Sequence, residues 1–266
     1  MSDPSSSTKY RFRDHSGYIL PADPRADHGL VALGHTASVA PWADPVVHMH
    51  TDSEEYYILL QGELRFVVAG VAIGLRAREI LIVQPRVPHA ILGGKGPIEH
   101  FGLRAPALED KQPVGELDED LPSATEGRER ELREKWGCRI PLETAENRNC
   151  WLIGAGRARF RSSHLILAYL DFRTTEAANV GIGTRHRPHF HERSWEYYVA
   201  LTGTKILQIE DEVVTVGAGD ILEVPPHVRH TLHERQAPYE GFTFRVPVEL
   251  HDKVVCPSSL GGAHCA

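Results

Sequence analysis

The stretch that decides the fold is 48–55, His-Met-His-Thr-Asp-Ser-Glu-Glu, because it returns at 189–196 as His-Phe-His-Glu-Arg-Ser-Trp-Glu. The offset is 141 residues (189 minus 48). The same offset relates Gly62 to Gly203 and His89 to His230, so the repeat extends well beyond the first stretch. Gene duplication is the simplest origin of such self-similarity, and we expect two related domains.

The length and composition agree with this expectation. A chain of 266 residues suits two domains of about 100 to 150 residues, and 41% hydrophobic with 24% charged residues is typical of a soluble globular protein. The formal charge of −7 gives no basic surface for nucleic acid. The longest apolar stretch, Val67 to Leu75, is far shorter than the roughly 20 residues that cross a membrane. We expect no nucleic-acid partner, no membrane span and, since the amino terminus lacks a secretory signal, a cytoplasmic location.

Each copy consists of short strand-like segments separated by glycine and proline, which predicts an all-β fold. Corresponding examples are Leu64–Val68 with Ile206–Ile209, and Glu79–Val83 with Ile221–Val224. Between the copies lies a segment rich in charge and proline, in which 128–136 predicts one short helix. The predicted organisation is an amino-terminal domain over 1–106, a partly helical connector over 107–150 and a carboxy-terminal domain over 151–266.

The repeated histidines and glutamate predict a metal site in each copy. Alternate residues of a strand share a face, so His48 and His50 point the same way with α-carbons about 7 Å apart. The polar residues 51–53 allow the chain to turn back and bring Glu55 opposite them, and a closed sheet returns His89 to the same point. Three imidazoles and one carboxylate bind a divalent metal and leave one or two positions open. The predicted ligands are His48, His50, Glu55 and His89 in the first copy and His189, His191, Glu196 and His230 in the second. The alternatives are ordinary polar strand residues, or a copy that has lost its metal.

This spacing resembles a known family. The pattern His-x-His, four residues, Glu, six residues, Gly, and later a proline-containing turn with His is similar to the two motifs of the cupins. The likeness covers residues 40–106 and 181–247, so the chain resembles a bicupin. Two departures from the second motif stand out: His227 occupies the position of the turn glycine, and the first copy has Gln84-Pro85-Arg86 through that turn.

The resemblance implies two tandem double-stranded β-helix barrels of jelly-roll type. Metals in such barrels are commonly iron, manganese, nickel, zinc or copper. The family includes dioxygenases, oxalate-degrading enzymes, isomerases, epimerases, lyases and non-catalytic storage or sugar-binding proteins. The fold therefore does not determine the reaction.

Three further residues are candidates for the chemistry. Strand alternation directs Tyr57 and Tyr198 into the barrels beside the glutamates, where a phenol orients a substrate or donates a proton; the alternative is an aromatic that fills the core. Arg187 stands two residues before the first histidine of the second copy, where a guanidinium would bind a carboxylate; the alternative is a surface arginine. Arg104 and Arg245 correspond by position and are interpreted as structural.

The remaining histidines are not predicted to act in the sites. We expect surface or turn positions for His100, His164, His186, His227 and His233. Of these, His186 and His227 flank the second predicted site in the sequence.

The leading functional hypothesis is a metal-dependent oxidoreductase of dioxygenase type that acts on a small organic molecule. Fe(II) is the favoured cofactor, with Mn(II), Ni(II), Zn(II) or Cu(II) as alternatives, and each chain is expected to hold two ions. A second hypothesis is an isomerase, decarboxylase or lyase that uses the metal as a Lewis acid, and a third is a binding or storage protein. The substrate is expected to bear a carboxylate, and strand edges make a homo-oligomer plausible.

Overall fold

The computed structural model describes residues 7–14, 16–20, 29–40, 42–115, 137–142, 148–154, 156, 158–182 and 186–256. Regular structure in these ranges is almost entirely β-strand, which confirms the all-β prediction. Contacts divide the chain into two compact units. The first unit is Arg13–Leu142, and the second unit combines Met1–Phe12 with Glu143–Ala266.

The first unit contains one antiparallel sheet of nine strands. Numbered along the whole chain, its strands are β2 (Gly17–Leu20), β3 (Ala32–Ser38), β4 (Asp44–His50), β5 (Glu54–Val68), β6 (Val71–Arg76), β7 (Glu79–Val83), β8 (His89–Ala105), β9 (Lys111–Gly115) and β10 (Gly137–Pro141). The main path runs β10-β7-β5-β8-β3-β2. Strand β6 pairs with β5, and β4 pairs with both β8 and β9.

The second unit repeats this arrangement with ten strands. They are β1 (Thr8–Arg11), β11 (Arg148–Gly154), β12 (Phe160–Arg161), β13 (Ile166–Phe172), β14 (His189–His191), β15 (Trp195–Ile209), β16 (Glu212–Gly217), β17 (Asp220–Val224), β18 (His230–Val246) and β19 (Lys253–Val255). The path runs β1-β17-β15-β18-β13-β11-β12, with β14 on β18 and β19 and with β16 on β15. Two short helical segments complete the regular structure in the described residues: a 3₁₀ turn at Phe12–Asp14 and helix α1 at Thr175–Ala178.

Strand alternation places the core inside each unit. Strands β5 and β15 are both 15 residues long and pair with the 17-residue strands β8 and β18. Inward-facing side chains of β5 include Tyr57, Leu59 and Phe66, which are at most 5% exposed. The equivalent positions of β15 include Tyr198 and Leu207, which are also buried. Because neighbours along a strand alternate faces, the same geometry that builds the core also directs the candidate site residues inward.

A glycine is required at one bend of each long strand. Gly62 and Gly203 have φ values of +86° and +70°. A Cβ atom there would lie 2.5 Å from the carbonyl oxygen of Pro97 and 2.2 Å from that of Pro238, respectively, which no side chain tolerates. The repeated glycine is therefore fixed by the close approach of β5 to β8, and of β15 to β18.

The turn before each third histidine uses a non-glycine residue in a left-handed conformation. Arg86 and His227 have φ values of 65° and 64°. Their backbone N–H groups donate to the carbonyl oxygens of His50, at 2.6 Å, and His191, at 2.7 Å. These bonds anchor each turn to the strand that carries two predicted ligands, at a cost of about 1 to 2 kcal/mol for the left-handed backbone.

The segment predicted as a connector contributes strands to the first sheet. Strand β9 pairs with β4, and β10 pairs with β7. The helix predicted over 128–136 lies outside the described residues, and the predicted boundaries at 106 and 150 stay predictions. Among the described residues, no helix is long and apolar enough to cross a membrane.

Candidate metal centres

The first unit gathers all four predicted ligands at one point. His48 and His50 lie two residues apart on β4 and are 3% and 2% exposed. Strand β5 runs back with Glu55 near its start, and His89 opens β8 directly opposite His48. Their ligand atoms lie within 4.8 Å of one another. The side chains that the repeat predicts as ligands therefore share one centre.

The second unit repeats this cluster. His189 and His191 lie on β14, Glu196 lies near the start of β15, and His230 opens β18 opposite His189. The four ligand atoms again lie within 4.8 Å of one another. Burial and the neighbouring His230 lower the pKa of His189 to about 3, so this imidazole is neutral at physiological pH.

The outer nitrogens of four histidines are fixed by the backbone. In each case Nδ1 donates to the carbonyl oxygen of the residue two positions earlier, at 2.9 Å. These histidines are His48, His89, His189 and His230. Because Nδ1 carries the proton, Nε2 presents its lone pair to the centre, which is the tautomer that a metal requires.

For His50, a carboxylate holds the outer ring nitrogen in place of a backbone carbonyl. Nδ1 of His50 lies 2.8 Å from Oδ1 of Asp110. The other oxygen, Oδ2, accepts from the backbone N–H groups of Asp52 and Ser53 and from the Ser53 hydroxyl, each at 2.9 Å. Burial alone would raise the pKa of Asp110, but these donors lower it to about 2. Asp110 is therefore a stable anion that fixes the proton of His50 on Nδ1.

The second unit places Asp252 in the corresponding position. Its Oδ2 lies 3.1 Å from Nδ1 of His191, and its two oxygens accept from the backbone N–H groups of Arg193, at 2.8 Å, and Ser194, at 3.2 Å. Nη1 of Arg245 also lies 3.1 Å from Nδ1 of His191. Since a guanidinium only donates and a carboxylate only accepts, His191 can direct its Nε2 lone pair inward only while it donates to Asp252.

The donor set at each centre is suited to a cation. Oε2 of Glu55 lies 2.7 Å from Nε2 of His89, 3.3 Å from that of His50 and 3.7 Å from that of His48. Burial alone would raise the pKa of Glu55, but hydrogen bonds donated by the three imidazoles when no metal is bound lower it well below its usual value. The pKa of Glu196 is lowered in the same way by its own histidine neighbours. An anion facing several imidazole lone pairs is stable only with a proton or a metal ion between them.

The size of the cluster fits a metal ion. Metal–ligand bonds of about 2.0 to 2.2 Å put ligand atoms about 3 Å apart when adjacent and about 4.3 Å apart when opposite. The separations at Glu55 fall in or near this range. Imidazole nitrogens with a carboxylate suit divalent transition metals, and both clusters offer this set. The residues present therefore fit the group that the resemblance implies.

The tyrosines predicted as candidates are buried near the glutamates. The rings of Tyr57 and His89 lie 6.2 Å apart, as do those of Tyr198 and His230. Burial first, and then the nearby glutamate charge, raises the pKa of each tyrosine well above its usual value. Both phenols therefore keep their protons and act as hydrogen-bond donors rather than as bases.

Arg187 is placed differently from these tyrosines. Its side chain is exposed, and its carbonyl oxygen accepts the bond from Nδ1 of His189. The backbone of Arg187 thus helps to orient a predicted ligand. The catalytic roles predicted for Tyr57, Tyr198 and Arg187 stay predictions.

A cavity of about 220 Å³ adjoins the first centre, with Glu55 in its wall. The rings of Trp42 and His100 lie 5.0 Å apart on another side, and Arg104 and Gly102 also line the space. Expecting His100 at the surface was wrong: it is 4% exposed, because it lies two residues before Gly102 and shares the inner face of β8 with it. Burial lowers its pKa to about 4, which keeps it neutral.

Sequence reasoning missed several of these residues. Arg104 was interpreted as structural, yet it lines the cavity, and its buried Nε has no hydrogen-bond partner in the described part of the chain. Asp110 and Asp252 lie 142 residues apart, one position outside the repeat offset. The signal that could have found them is the repeated serine two residues before each glutamate. Ser53 and Ser194 keep the 141-residue offset and bind these carboxylates through their backbone N–H groups.

Comparisons with known proteins agree with this architecture. The cupin domain model matches residues 35–98 and 178–237. The salicylate 1,2-dioxygenase of Pseudaminobacter salicylatoxidans is similar in structure, with a TM-score of 0.63 at 9% identity over 93% of this chain and 86% of that one. A point mutant of Bacillus subtilis oxalate decarboxylase gives a TM-score of 0.58 at 12% identity, over 93% and 79% of the two chains.

A third similar structure is the formate complex of Lactobacillus farciminis oxalate decarboxylase, with a TM-score of 0.57 at 11% identity over 94% and 88% of the two chains. A search of curated protein sequences finds no significant match. At these identities the likeness to solved structures establishes the fold alone. With two cupin matches, two barrel-forming sheets and the same quartet in each unit, the chain carries two cupin domains in tandem, as a bicupin does.

Proposed function

We propose that this bicupin is a metal-dependent enzyme that oxidises a small organic molecule with dioxygen, with Fe(II) as its cofactor. The observation that carries the proposal is the donor set: in each unit three histidines and one glutamate converge. In the first unit the outer nitrogen of every one of these histidines is already bonded elsewhere. Such a set is suited to a divalent metal ion at its centre.

The protein's own groups define what a bound metal would experience. Three neutral imidazoles and one carboxylate reduce the charge of a divalent ion to about +1 and leave one or two coordination positions free. Bound Fe(II) would supply redox chemistry toward dioxygen at those positions. Asp110 and Asp252 hold the outer nitrogens of His50 and His191, and such carboxylates maintain both the orientation and the basicity of a ligand histidine.

The cavity beside Glu55 is the proposed substrate site of the first unit. Its wall combines the Trp42 ring with the Arg104 guanidinium, whose buried Nε lacks a partner among the described residues. An aromatic ring packs favourably on a planar apolar molecule, and a guanidinium binds a carboxylate through paired hydrogen bonds. A planar carboxylic acid therefore suits this cavity. A structure of the salicylate dioxygenase as an adduct with gentisate is among the similar structures, which supports this substrate class.

A second candidate is a decarboxylase, lyase or isomerase that uses the metal as a Lewis acid. The observation that favours it is the pair of protonated phenols, Tyr57 and Tyr198, held close to the glutamates. A buried phenol donates a hydrogen bond or a proton to a developing anion. The oxalate decarboxylases among the similar structures support this alternative. A third candidate is a binding or storage protein, in which the metals only stabilise the barrels.

Oxygen uptake separates these candidates. The protein is reconstituted anaerobically with Fe(II) and mixed with aromatic hydroxy acids or small dicarboxylic acids in an oxygen electrode, while substrate loss is followed by chromatography. We expect stoichiometric oxygen consumption with at least one acid. Substrate loss without oxygen consumption would favour the second candidate. Small-molecule binding that persists with an intact fold after metal removal, with no turnover, would favour the third.

Single-site variants identify the active unit. We expect His50→Ala and His191→Ala each to lose about half of the bound metal, because each removes one ligand from one of two sites. One of the two variants should also lose nearly all activity. His233→Ala is the matched control, since this exposed histidine lies outside both clusters. Full metal content in either ligand variant would contradict the ligand assignment.

A further inference from the structure

We infer that the interior of the second unit binds a carboxylate anion between Lys205 and Arg235. The inference rests on the proposed function, since it names the substrate class of the second metal centre. Lys205 and Arg235 are direct cross-strand partners on β15 and β18. Their exposed fractions are only 3% and 5%, so two basic side chains face each other inside the barrel.

Neither side chain forms an ion pair with a carboxylate in the part of the chain that the structure describes, although the Glu196 carboxylate lies near enough to attract Lys205. Nζ of Lys205 lies 3.7 Å from the ring centroid of Tyr198, a contact with a π face and not with an acceptor oxygen. Nη1 of Arg235 donates to the carbonyl oxygen of Ala178 at 2.6 Å, and its guanidinium stacks 4.9 Å from the Phe172 ring centroid. Its Nε is buried with no hydrogen-bond partner among the described residues.

The first unit fills the same positions with apolar or absent side chains. By the 141-residue offset, Lys205 corresponds to Leu64 and Arg235 corresponds to Gly94. Leu64 is 1% exposed in the core of the first unit. The fold therefore does not need a cation here, and the two charges are specific to the second unit.

Such a pair is unfavourable without a ligand. Like charges placed directly opposite each other on neighbouring strands destabilise a sheet, and an unpaired buried charge has a large desolvation cost. Burial lowers the pKa of Lys205 and of Arg235, which reflects this cost. An anion between them would compensate both charges, and binding sites commonly sacrifice stability in this way.

The surroundings favour a carboxylate-bearing molecule that reaches the metal centre. The buried hydroxyl of Tyr239 has no hydrogen-bond partner among the described residues and is available to a ligand oxygen. The Tyr198 ring contacts Lys205 and lies 6.2 Å from the His230 ring. A molecule anchored by its carboxylate at the cation pair would thus extend past Tyr198 toward His230.

Direct binding tests the inference. Malonate, succinate and benzoate are titrated into the metal-loaded protein and into chelator-treated protein by calorimetry, alongside the neutral malonamide, succinamide and benzamide, and inorganic sulfate. Lys205→Leu reproduces the residue of the first unit and should fold, because it replaces a buried charge with an apolar side chain. Lys95→Leu is the matched control, since Lys95 is exposed in the first unit. Metal content is measured for every sample.

We expect at least one carboxylate to bind the wild-type protein and its amide not to bind. Lys205→Leu should weaken that carboxylate about 10-fold to 100-fold, as expected for the loss of one charged hydrogen bond, while metal content is unchanged. The inference is overturned if no carboxylate binds at about 10 mM, a concentration well above the millimolar affinity of a weak ligand. It is also overturned if only sulfate binds, or if Lys205→Leu binds as tightly as wild type. A wild-type protein that holds no metal yet shows this Lys205-dependent binding would defeat the proposed function and leave the anion site standing.

Discussion

Replacing Asp110 by asparagine should weaken metal binding at the first centre by changing the tautomer of one histidine. Oδ2 of Asp110 accepts three hydrogen bonds, from two backbone N–H groups and the Ser53 hydroxyl, whereas Oδ1 faces only Nδ1 of His50. Asparagine will keep its oxygen toward the three donors, so its NH₂ group faces Nδ1 of His50. Nδ1 must then accept, and the imidazole proton moves to Nε2, which faces Glu55 at 3.3 Å.

The expected magnitude is that of a lost carboxylate–histidine interaction. Such changes typically weaken metal affinity 10-fold to 100-fold, or about 1.4 to 2.7 kcal/mol. Chelator competition in a His191→Ala background measures the first centre alone, because that background disables the second. Asp44→Asn is the control, since this carboxylate is partly exposed and its ion pair with Lys111, at 3.9 Å, lies outside the cluster. Metal affinity within about threefold of the parent protein would refute the tautomer argument, since the expected loss is at least tenfold.

Three further predictions concern the fold, the cavity and the buried lysine. Gly203→Ala should lower the free energy of unfolding in urea by about 2 kcal/mol or more, because the backbone is left-handed and a Cβ would lie 2.2 Å from a carbonyl oxygen. Gly74→Ala is the control and should have little effect, since a Cβ at Gly74 would meet no atom within 4 Å. Gly102→Val should keep both metals but raise KM about 10-fold or more if the cavity is the substrate site, since a Cβ there meets no atom within 4 Å and enters the space; an unchanged KM would contradict that assignment. Lys205→Leu should have a higher free energy of unfolding than wild type. This difference in free energy should shrink by up to about 1.4 kcal/mol per pH unit as pH rises toward the unfolded lysine pKa of 10.5. The sign follows because the folded pKa is depressed, so the unfolded chain binds more protons in this window; a difference that is constant with pH would show that Lys205 titrates normally in the fold.

The ligand quartets could be predicted from the sequence because two independent regularities coincide. The period of two places His48 and His50 on one face of a strand, and the constant 141-residue offset repeats the whole set at His189. A lone histidine carries no such signal. This is why His100, which has no histidine counterpart at position 241, was expected at the surface although it is buried beside the cavity.

The features that distinguish the two units could not be predicted, because they depend on strand register. Lys205 and Arg235 are 30 residues apart in the sequence (235 minus 205), and only the pairing of β15 with β18 shows that they oppose each other. The cavity beside Glu55 also depends on strand register. Gly34 and Gly102 are cross-strand partners on β3 and β8, and the absence of two side chains at one point helps to create the space. Register shifts between Ala200 and Thr204 on β15 precede the Lys205–Arg235 pair, and the sequence does not reveal them.

Strand β1 has a consequence for how the duplicated gene can be divided. Although it precedes the entire first copy in the sequence, it pairs with β17 and belongs to the second unit. Lys9 and Arg11 reach the buried Asp220 carboxylate at 3.7 Å and 3.2 Å. A fragment cut at the junction between the copies would therefore lack an edge strand and leave Asp220 without these cations, which favours aggregation through the open edge. Expression of the carboxy-terminal copy by itself should accordingly require that this leading peptide be supplied, either fused to the fragment or added in trans.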